Sequence, residues 1–469
     1  MTFSFRRAAA LPWFAALAFA AFHQPALAQA GSELDPRIEK LLEQVSQERL
    51  EAILRRLQTF ETRNTLSSTD SPAKGIGAAR AWILDEMKKS SGRLQVSFDT
   101  YRTPRGGRVT RDIELSNVVA ILPGRSPRRV YVTAHYDTFA AERRTSAGAG
   151  RAPGSAGLPP GSAGAPPSHA APQQAAQMPP PSPADNPAPG VNDDGSGTAL
   201  VMELARVFAE SGIEFDATVV FAAFAGEEQG LIGARQHAQR AAVEKITIDA
   251  VLNNDMVGNA ENGLGSLDSE SVRVFSESPE DSSSRQLARY IQRQAARYVP
   301  SHRIRLIARY DRFGRGGDHT PFNQAGFAAV RITESNENYG RQHTTADTVE
   351  SVSMPYFVKN VKVNAVALAS LALAPASPAV VEKGRPMLGR GPSGYDAQLR
   401  WAASPGAVGY RVFWREAWAP DWGHELNVGN VTEFLLRGMS IDDNVFGVAA
   451  LGASGNESLV SAYVNPPRQ

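Results

Sequence analysis

The chain has 469 residues, of which 42% are hydrophobic, and its 49 lysines and arginines nearly balance its 48 aspartates and glutamates. This length predicts two or three domains, and the hydrophobic content excludes an intrinsically disordered chain. The charge balance gives no electrostatic reason to expect a nucleic acid or an anionic membrane as partner. Because the chain has no cysteine, disulfides, thiol nucleophiles and thiolate zinc sites are excluded.

The first 30 residues have the pattern of a secretory signal peptide. Arg6 and Arg7 precede an apolar run over residues 8–22, and the small residues of a cleavage site follow at 26–30. The apolar run is short for a membrane-spanning helix, so we expect no membrane span. The pattern predicts that residues 1–30 are removed and that the protein is exported to the periplasm or the extracellular space.

Beyond residue 34 the hydrophobic pattern alternates between helical and extended periodicity. One helix is predicted within residues 34–65 and a second over 75–88. The strands predicted after them are Leu94–Tyr101, Leu115–Leu122, Val130–His135, Ala217–Phe224, Ala250–Asn254 and Ala328–Thr333, and the helices are Gly197–Ser211, Ser284–Tyr298 and Met354–Leu373. This alternation predicts an α/β/α sandwich with a mixed, largely parallel central sheet flanked by helices.

Residues 145–189 interrupt this pattern. Of these 45 residues, 35 are Ala, Gly, Pro or Ser, a composition that cannot bury a core. We therefore expect a disordered surface insertion. In the chain it lies between the candidate ligands His135 and Asp193. We interpret it as an inert linker rather than as a lid that acts on the site.

The composition changes again near residue 386. Short alternating segments separated by turn residues predict a small all-β sandwich over residues 386–466. The segment LRWAASPGAVGYRVFWRE resembles a fibronectin type III module, with Trp401 and Tyr410 at the positions of its usual aromatic residues. Because this region shows no catalytic set of residues, we expect it to bind a polymer or the cell envelope, or to stabilise the rest of the chain.

Five short stretches carry candidate metal ligands, each in or after an apolar run that predicts a strand, or in a polar loop. The stretches are VTAHYDT with His135 and Asp137, GVNDDGSG with Asp193, FAGEEQG with Glu227 and Glu228, NNDMVG with Asp255, and RQHTTADT with His343. Two histidines with several carboxylates form a suitable ligand set for two zinc ions.

Each stretch is ambiguous by itself. His135 and Asp137 face the same side of an extended strand, so Asp137 could fix the ring of a zinc-bound His135, but for this pair alone a strand-end histidine with a turn aspartate is the favoured interpretation. Asp194 suits a helix N-cap, which leaves Asp193 as the candidate ligand. The adjacent pair Glu227 and Glu228 must point in different directions, so that one can bind metal while the other accepts a proton.

Together the motifs HYD, NDDGSG, GEE, D and H, in this order, resemble the co-catalytic two-zinc exopeptidase family of secreted bacterial leucyl-type aminopeptidases, whose relatives include glutamate carboxypeptidase II and glutaminyl cyclase. The resemblance implies a two-zinc peptidase domain at residues 31–378. It implies that His135 and Asp255 bind one zinc, that Glu228 and His343 bind the other and that Asp193 bridges them.

The same resemblance implies a reaction. A zinc-bridging hydroxide would attack the peptide carbonyl, with Glu227 as general base and Asp137 as the partner of the zinc ligand His135. Relatives bind the oxyanion with a tyrosine directly before the histidine ligand; here Tyr339 is four residues before His343, and Arg341 and Gln342 are alternatives.

We therefore expect a secreted zinc aminopeptidase that acts on peptides or proteins. Two alternatives share the fold. A carboxypeptidase would need a basic pocket, for which Arg312, Arg315 and Arg341 are candidates, and a metal-free receptor would lack the ligands. Glutaminyl cyclisation is disfavoured because relatives use a single zinc for it. Asp318 and His319 in GGDHTPF match a family motif near the site but are not expected to be ligands.

Overall fold

The computed structural model describes residues 34–141 and 183–464. The expected signal peptide and residues 145–182 of the expected insertion lie outside the described residues. The helices are α1 Pro36–Glu43, α2 Gln47–Gln58, α3 Gly75–Ser90, α4 Gly195–Glu210, α5 Ile232–Val243, α6 Ser283–Tyr298, α7 His319–Gln324 and α8 Met354–Leu373. In the N-terminal part the strands are β1 Gln95–Thr103, β2 Ile113–Leu122, β3 Ser126–His135, β4 Ala217–Phe224, β5 Ile248–Asn254, β6 Ser271–Ser276, β7 Arg303–Ile307 and β8 Ala329–Glu334.

One mixed sheet forms the centre of the N-terminal part, with strand order β1-β2-β4-β3-β5-β8-β6-β7. The four middle strands β4, β3, β5 and β8 run parallel, whereas β2 and β6 pair antiparallel with β4 and β8. This arrangement confirms the predicted mixed, largely parallel sheet.

Helices cover both faces of this sheet. Alternate residues of β4 belong to two separate cores, one shared with α1 to α4, α6 and α8 and the other shared with α5 and α7. All eight residues of β4 are buried, as expected for a parallel strand covered on both faces. The predicted α/β/α sandwich is therefore confirmed. Among the described residues, none of the helices is long and apolar enough to cross a membrane.

Several elements differ from the sequence-based prediction. The periodic segment within residues 34–65 forms two helices, because the Ser46 side chain accepts a hydrogen bond from the Arg49 amide and starts α2 there. Helix α5, which packs mainly through alanines, and strands β6 and β7 were not predicted. The end of the predicted insertion, residues 183–189, belongs to the fold, since the Ala188 amide bonds to the Glu61 carbonyl at 2.8 Å.

The C-terminal part is all β, as predicted. Its strands are β9 Val381–Glu382, β10 Arg385–Pro386, β11 Leu388–Arg390, β12 Asp396–Arg400, β13 Gly409–Glu416, β14 His424–Gly429, β15 Glu433–Ser440, β16 Asn444–Leu451 and β17 Ser461–Ala462. They form antiparallel sheets of order β11-β12-β15 and β14-β13-β16-β17, with β9 and β10 as a separate pair. Trp401 and Tyr410 pack in the core between them. The fibronectin type III resemblance stays a prediction.

This C-terminal module is packed against helix α6 and the loop before it. The buried Arg415 forms an ion pair with Asp281. Arg289 on α6 donates through Nε to the carbonyl of Pro420 at 2.7 Å, and the Tyr290 hydroxyl donates to the carbonyl of Glu457 at 2.9 Å. The module is thus held to the N-terminal part by buried polar contacts.

Candidate metal centre

Candidate ligands meet at the carboxyl ends of the parallel strands. His135 is the last residue of β3, Asp255 directly follows β5, and Glu228 follows β4 after a short turn. Parallel strands place their carboxyl ends at the same edge of a sheet, which is where ligands bind in open α/β folds. Asp193 lies just before α4, and His343 lies in the loop between β8 and α8, so both come from loops at this edge.

The ligand atoms form two groups, each within 4.8 Å: His135, Asp194 and Asp255 in one, and Asp193, Glu228 and His343 in the other. Asp193 lies between the groups. Its Oδ1 is 3.4 Å from His135 Nε2, and its Oδ2 is 3.1 Å from His343 Nε2. A carboxylate with one oxygen towards each histidine has the geometry of a bridging ligand.

Asp194 has a structural task. Its Oδ1 accepts hydrogen bonds from the amides of Gly197 at 2.8 Å and Met256 at 3.2 Å, and its Oδ2 accepts one from the amide of His135 at 3.1 Å. These bonds cap α4 and tie the ends of β3 and β5 together. Both oxygens of Asp194 are thus used by backbone amides, which gives it the helix-cap role expected from the sequence; the bridging role of Asp193 stays a prediction.

The donor set fits zinc. His135 Nε2 and Glu228 Oε1 are buried and make no hydrogen bond in the described part of the chain, although Glu228 Oε1 lies 3.0 Å from His343 Nε2. Such atoms face a common space without the alignment of a hydrogen bond. Imidazole nitrogens and carboxylate oxygens are the ligands that zinc takes in catalytic sites.

The electrostatics of the donor set also favour a cation. Burial lowers the pKa of His343, but Glu228 and Asp193 raise it more strongly, to about 11. In the same way Glu227 and the aspartates around His135 hold its pKa well above the usual value. Both shifts favour positive charge at the centre, and a bound metal ion would supply that charge in place of protons.

Asp137 contacts His135 through its backbone carbonyl and the turn at Glu227 and Glu228 through its carboxylate. The sequence predicted a contact of the carboxylate with His135. His135 Nδ1 bonds to the backbone carbonyl of Asp137 at 3.1 Å, whereas the carboxylate Oδ1 lies 3.6 Å away. The carboxylate instead accepts the amides of Glu227 at 3.2 Å and Glu228 at 3.3 Å. Asp137 therefore orients the His135 ring and also fixes the turn that carries the two glutamates.

Glu227 lines the cleft but belongs to neither ligand group. Burial raises its pKa well above the usual range, and Glu228 and Asp255 add to this, while His135 opposes it. A carboxylate with a raised pKa beside a metal centre is suited to accept and return a proton.

The structure identifies two supports of the site that sequence reasoning missed. Asp347, which is almost fully buried, accepts the amide of Asn192 at 2.8 Å and that of Asp193 at 2.9 Å. Arg331, in the middle of β8, is fully buried and its Nη1 lies 2.9 Å from Asp255 Oδ2. Arg331 could have been suspected from the sequence, because a charged residue inside an apolar strand needs a buried partner.

A third support is Arg63, which is fully buried between the ligand loops. Its guanidinium donates to the carbonyls of Tyr136 at 2.7 Å, Pro189 at 2.6 Å and Gly190 at 2.7 Å. It therefore joins the segment after His135 to the segment before the bridging aspartate, across the ends of the insertion.

A cleft of about 360 Å³ opens above the ligands, which Asp193, Glu228, Asp255 and His343 help to line. Tyr339 is 63% exposed and is not among the lining residues. Gln342 lines the cleft instead, and its Nε2 donates to Asp193 Oδ2 at 2.8 Å. The oxyanion role of Tyr339 stays a prediction, and the position of Gln342 favours that alternative.

The GGDHTPF motif lies beside the centre, at the start of α7. Asp318 is 1% exposed, and neither of its carboxylate oxygens has a hydrogen-bond partner among the described residues. Burial and the charges of Asp137 and Asp255 raise its pKa to about 8, against the effect of His135. His319 bonds to the carbonyl of Tyr310 at 2.7 Å. Neither residue belongs to the two ligand groups found among the described residues.

A larger hollow of about 550 Å³ lies elsewhere, along α3 and the β1–β2 hairpin. Its lining includes Arg80, Arg102 and Tyr136 but none of the candidate ligands. Size alone therefore does not identify the active site, and the smaller cleft is the candidate because four of the candidate ligands line it.

Comparisons with known proteins agree with this assignment. The model of peptidase family M28 matches residues 117–368. Probable zinc metalloproteases of Leptosphaeria maculans and Pyricularia oryzae are 34% and 35% identical, the first over 90% of this chain and 96% of its own length, the second over 90% and 84%.

A structural comparison gives the same fold. The crystal structure of the LapA aminopeptidase of Legionella pneumophila aligns with 73% of this chain and 76% of its own length, with a TM-score of 0.52 and 19% sequence identity. At this identity the likeness shows the fold alone.

Proposed function

Since the chain belongs to peptidase family M28 and is a zinc metallopeptidase, we propose that it is an aminopeptidase with two zinc ions per chain. The observation that carries this proposal is the separation of roles around the centre. Two histidines and four carboxylates form the two ligand groups, one of the four being the helix cap Asp194, while Glu227 lines the cleft and belongs to neither group.

Each side chain has a distinct part in the proposal. His135 and Asp255 would hold one zinc, Glu228 and His343 the other, and Asp193 both. Bound zinc would supply Lewis acidity, which acidifies water and polarises the scissile carbonyl.

Glu227 accepts the proton of the attacking water and returns it to the leaving amine. Its raised pKa suits both transfers, because a base that is too weak cannot accept the proton and one that is too strong cannot release it. The amide of Gln342, which already reaches Asp193, is placed to donate to the carbonyl oxygen of a substrate in the cleft.

The free amine of an N-terminal residue would bind near the carboxylates of Glu227 and Asp255. Both line the floor of the cleft, where a positive ammonium group is favoured over a neutral or blocked amine. This preference separates an aminopeptidase from a carboxypeptidase of the same family.

Peptides with free or blocked termini test the proposal. The zinc-loaded protein should shorten a free peptide and its C-terminally amidated form from the N-terminus, one residue at a time, and should leave the N-acetylated peptide intact. Mass spectrometry identifies the end that is trimmed. Loss of C-terminal residues from the acetylated peptide would overturn the aminopeptidase assignment in favour of the carboxypeptidase.

We propose in addition that the protein is exported. The support is the signal-like pattern of residues 1–30. N-terminal sequencing of the protein recovered from the periplasm or medium tests this, since the expected mature chain starts near Gly31, and a retained Met1 would contradict export by this signal.

A further inference from the structure

The wall of the cleft is unusually basic. Apart from the ligands, Glu227, Gln342 and glycines, its lining consists of Arg108, Arg312, Arg315 and Leu231. Leu231 is thus its one large apolar side chain. A pocket that selected a bulky apolar side chain would be lined mainly by apolar and aromatic groups, so this cleft is not built for such a substrate.

The arginines differ in what they already bind. Arg312 is buried and pairs with Asp311 at 3.1 Å and with Glu337 at 2.6 Å. Arg108 donates through Nη1 to the carbonyl of Glu228 at 2.7 Å. Arg341, a further candidate from the sequence, pairs with Glu261 at 3.1 Å. These three groups therefore have protein partners.

Arg315 has no such partner. It is partly exposed, lines the cleft, and its guanidinium makes no ion pair or hydrogen bond with the residues that the structure describes. Gly314 and Gly316 flank it and also line the cleft, so that the guanidinium is the one functional group of this stretch of the wall.

The loop that carries Arg315 is anchored from below. The Arg315 amide donates to the carbonyl of Arg312 at 3.1 Å. Asp311 is fully buried and lies 3.4 Å from Arg331, the same arginine that contacts the ligand Asp255. The backbone that carries Arg315 is therefore tied to residues that contact the metal centre, as a position that determines specificity requires.

The charges leave this arginine available for an anion. The three ligand carboxylates, Asp193, Glu228 and Asp255, would be neutralised by two zinc ions. Among the arginines that line the cleft, Arg315 is then the one whose guanidinium makes no ion pair or hydrogen bond with the residues that the structure describes. An arginine that is held in place and unpaired binds a carboxylate through paired N–H donors.

We propose that Arg315 binds a carboxylate of the substrate next to the scissile bond. The carboxylate is either the side chain of an N-terminal acidic residue or the terminal α-carboxylate of a short peptide. This inference rests on the proposed peptidase function and names its substrate class.

Two pairs of peptides distinguish the sources. Glu-Ala-NH2 and Gln-Ala-NH2 differ only in a side-chain carboxylate, and Leu-Ala and Leu-Ala-NH2 differ only in the α-carboxylate. In at least one pair we expect kcat/KM to be about tenfold higher for the peptide with the carboxylate, the size of one charge-assisted contact. The pair that shows the preference identifies the source.

Substitution of the arginine tests its role. Arg315→Gln should reduce the preference to less than about twofold, Arg315→Lys should keep part of it, and Arg303→Gln, on an exposed position of β7, should leave it unchanged. Equilibrium binding of the same peptides to the zinc-loaded Glu227→Gln variant provides a readout apart from turnover, and should show the same preference.

Two results overturn the inference: turnover of these peptides without a preference in either pair, or a preference that Arg315→Gln leaves intact. Failure to hydrolyse any peptide would contradict the proposed function instead. In that case the binding preference measured at equilibrium with the zinc-loaded protein, and its loss in Arg315→Gln, decides on Arg315 alone.

Discussion

Glu227 and Glu228 are neighbours in sequence but are assigned different tasks, so replacing each by glutamine gives a matched pair of variants. Glu228 Oε1 lies 3.0 Å from His343 Nε2 within a ligand group. Glu227 lines the cleft outside both groups. Glu227→Gln removes the proton acceptor without removing a ligand, which should lower kcat by about 10²–10⁴, or about 3–5 kcal/mol in the barrier.

The assay combines turnover of an N-terminal peptide with zinc analysis after dialysis. Glu227→Gln should retain the zinc content of the wild type, because the amide keeps its size and the backbone bond from Glu227 to Asp137 is unaffected. Glu228→Gln should lose both zinc and activity, and added zinc should restore part of its activity. If Glu227→Gln keeps a tenth or more of the wild-type rate, or loses zinc as Glu228→Gln does, the separation of roles is refuted.

Three further predictions follow from buried groups. Each carboxylate oxygen of Asp347 accepts one backbone amide, and Asp347→Asn replaces one of these two oxygens by an NH2 donor. The substitution should cost about 1.5–3 kcal/mol of stability and weaken zinc binding about 10–100-fold. Zinc affinity measured by competition with a chelator checks this, and an unchanged affinity would contradict it. Arg415→Met breaks the ion pair with Asp281 under the C-terminal module and should cost about 3 kcal/mol in thermal unfolding, unlike the exposed control Arg437→Met. In the metal-free protein the pKa of His343 is raised to about 11, so zinc must displace a proton and zinc affinity should rise from pH 6 to 8. The raised pKa stabilises the folded metal-free protein fully below the unfolded pKa of about 6.5, and this contribution declines as pH rises towards 11. The melting temperature of the metal-free protein should therefore fall between these two pH values.

Much of the site could be predicted because its ligands follow recognisable strands. Apolar runs such as ATVVFAAF predict a buried strand with correct bounds, and acidic residues directly beyond a strand end point to the active edge of a parallel sheet. The structure places His135, Asp193, Glu228, Asp255 and His343 within the two neighbouring ligand groups, while their roles stay predictions. Sequence order could not show which oxygen of which aspartate faces which histidine.

The supports of the site were missed because they act across long sequence separations. Arg63 and Asp347 contact the ligand loops from the N-terminal segment and from the loop before α8, and no local periodicity connects these positions. The role of Asp137 was predicted in part. Its backbone carbonyl, rather than its carboxylate, receives the His135 ring, and only the three-dimensional arrangement shows that the carboxylate holds the turn at Glu227.

The arginines near the cleft show the same limit of prediction from sequence. Arg312, Arg315 and Arg341 were equivalent candidates in the sequence, being close to the motif and equally charged. Only the structure shows that two of them are neutralised by buried or neighbouring carboxylates, whereas Arg315 faces the cleft. A charge in a sequence indicates a function only when its partners are known.

Zinc stoichiometry tests the central claim most directly, since everything else depends on one aspartate joining two metal sites. Elemental analysis of the dialysed, zinc-loaded protein should give about two zinc ions per wild-type chain. Asp193→Ala, which removes an oxygen from each site, should lose both ions while the fold persists by circular dichroism. A wild type that binds one zinc, or an Asp193→Ala variant that still binds two, would contradict the account.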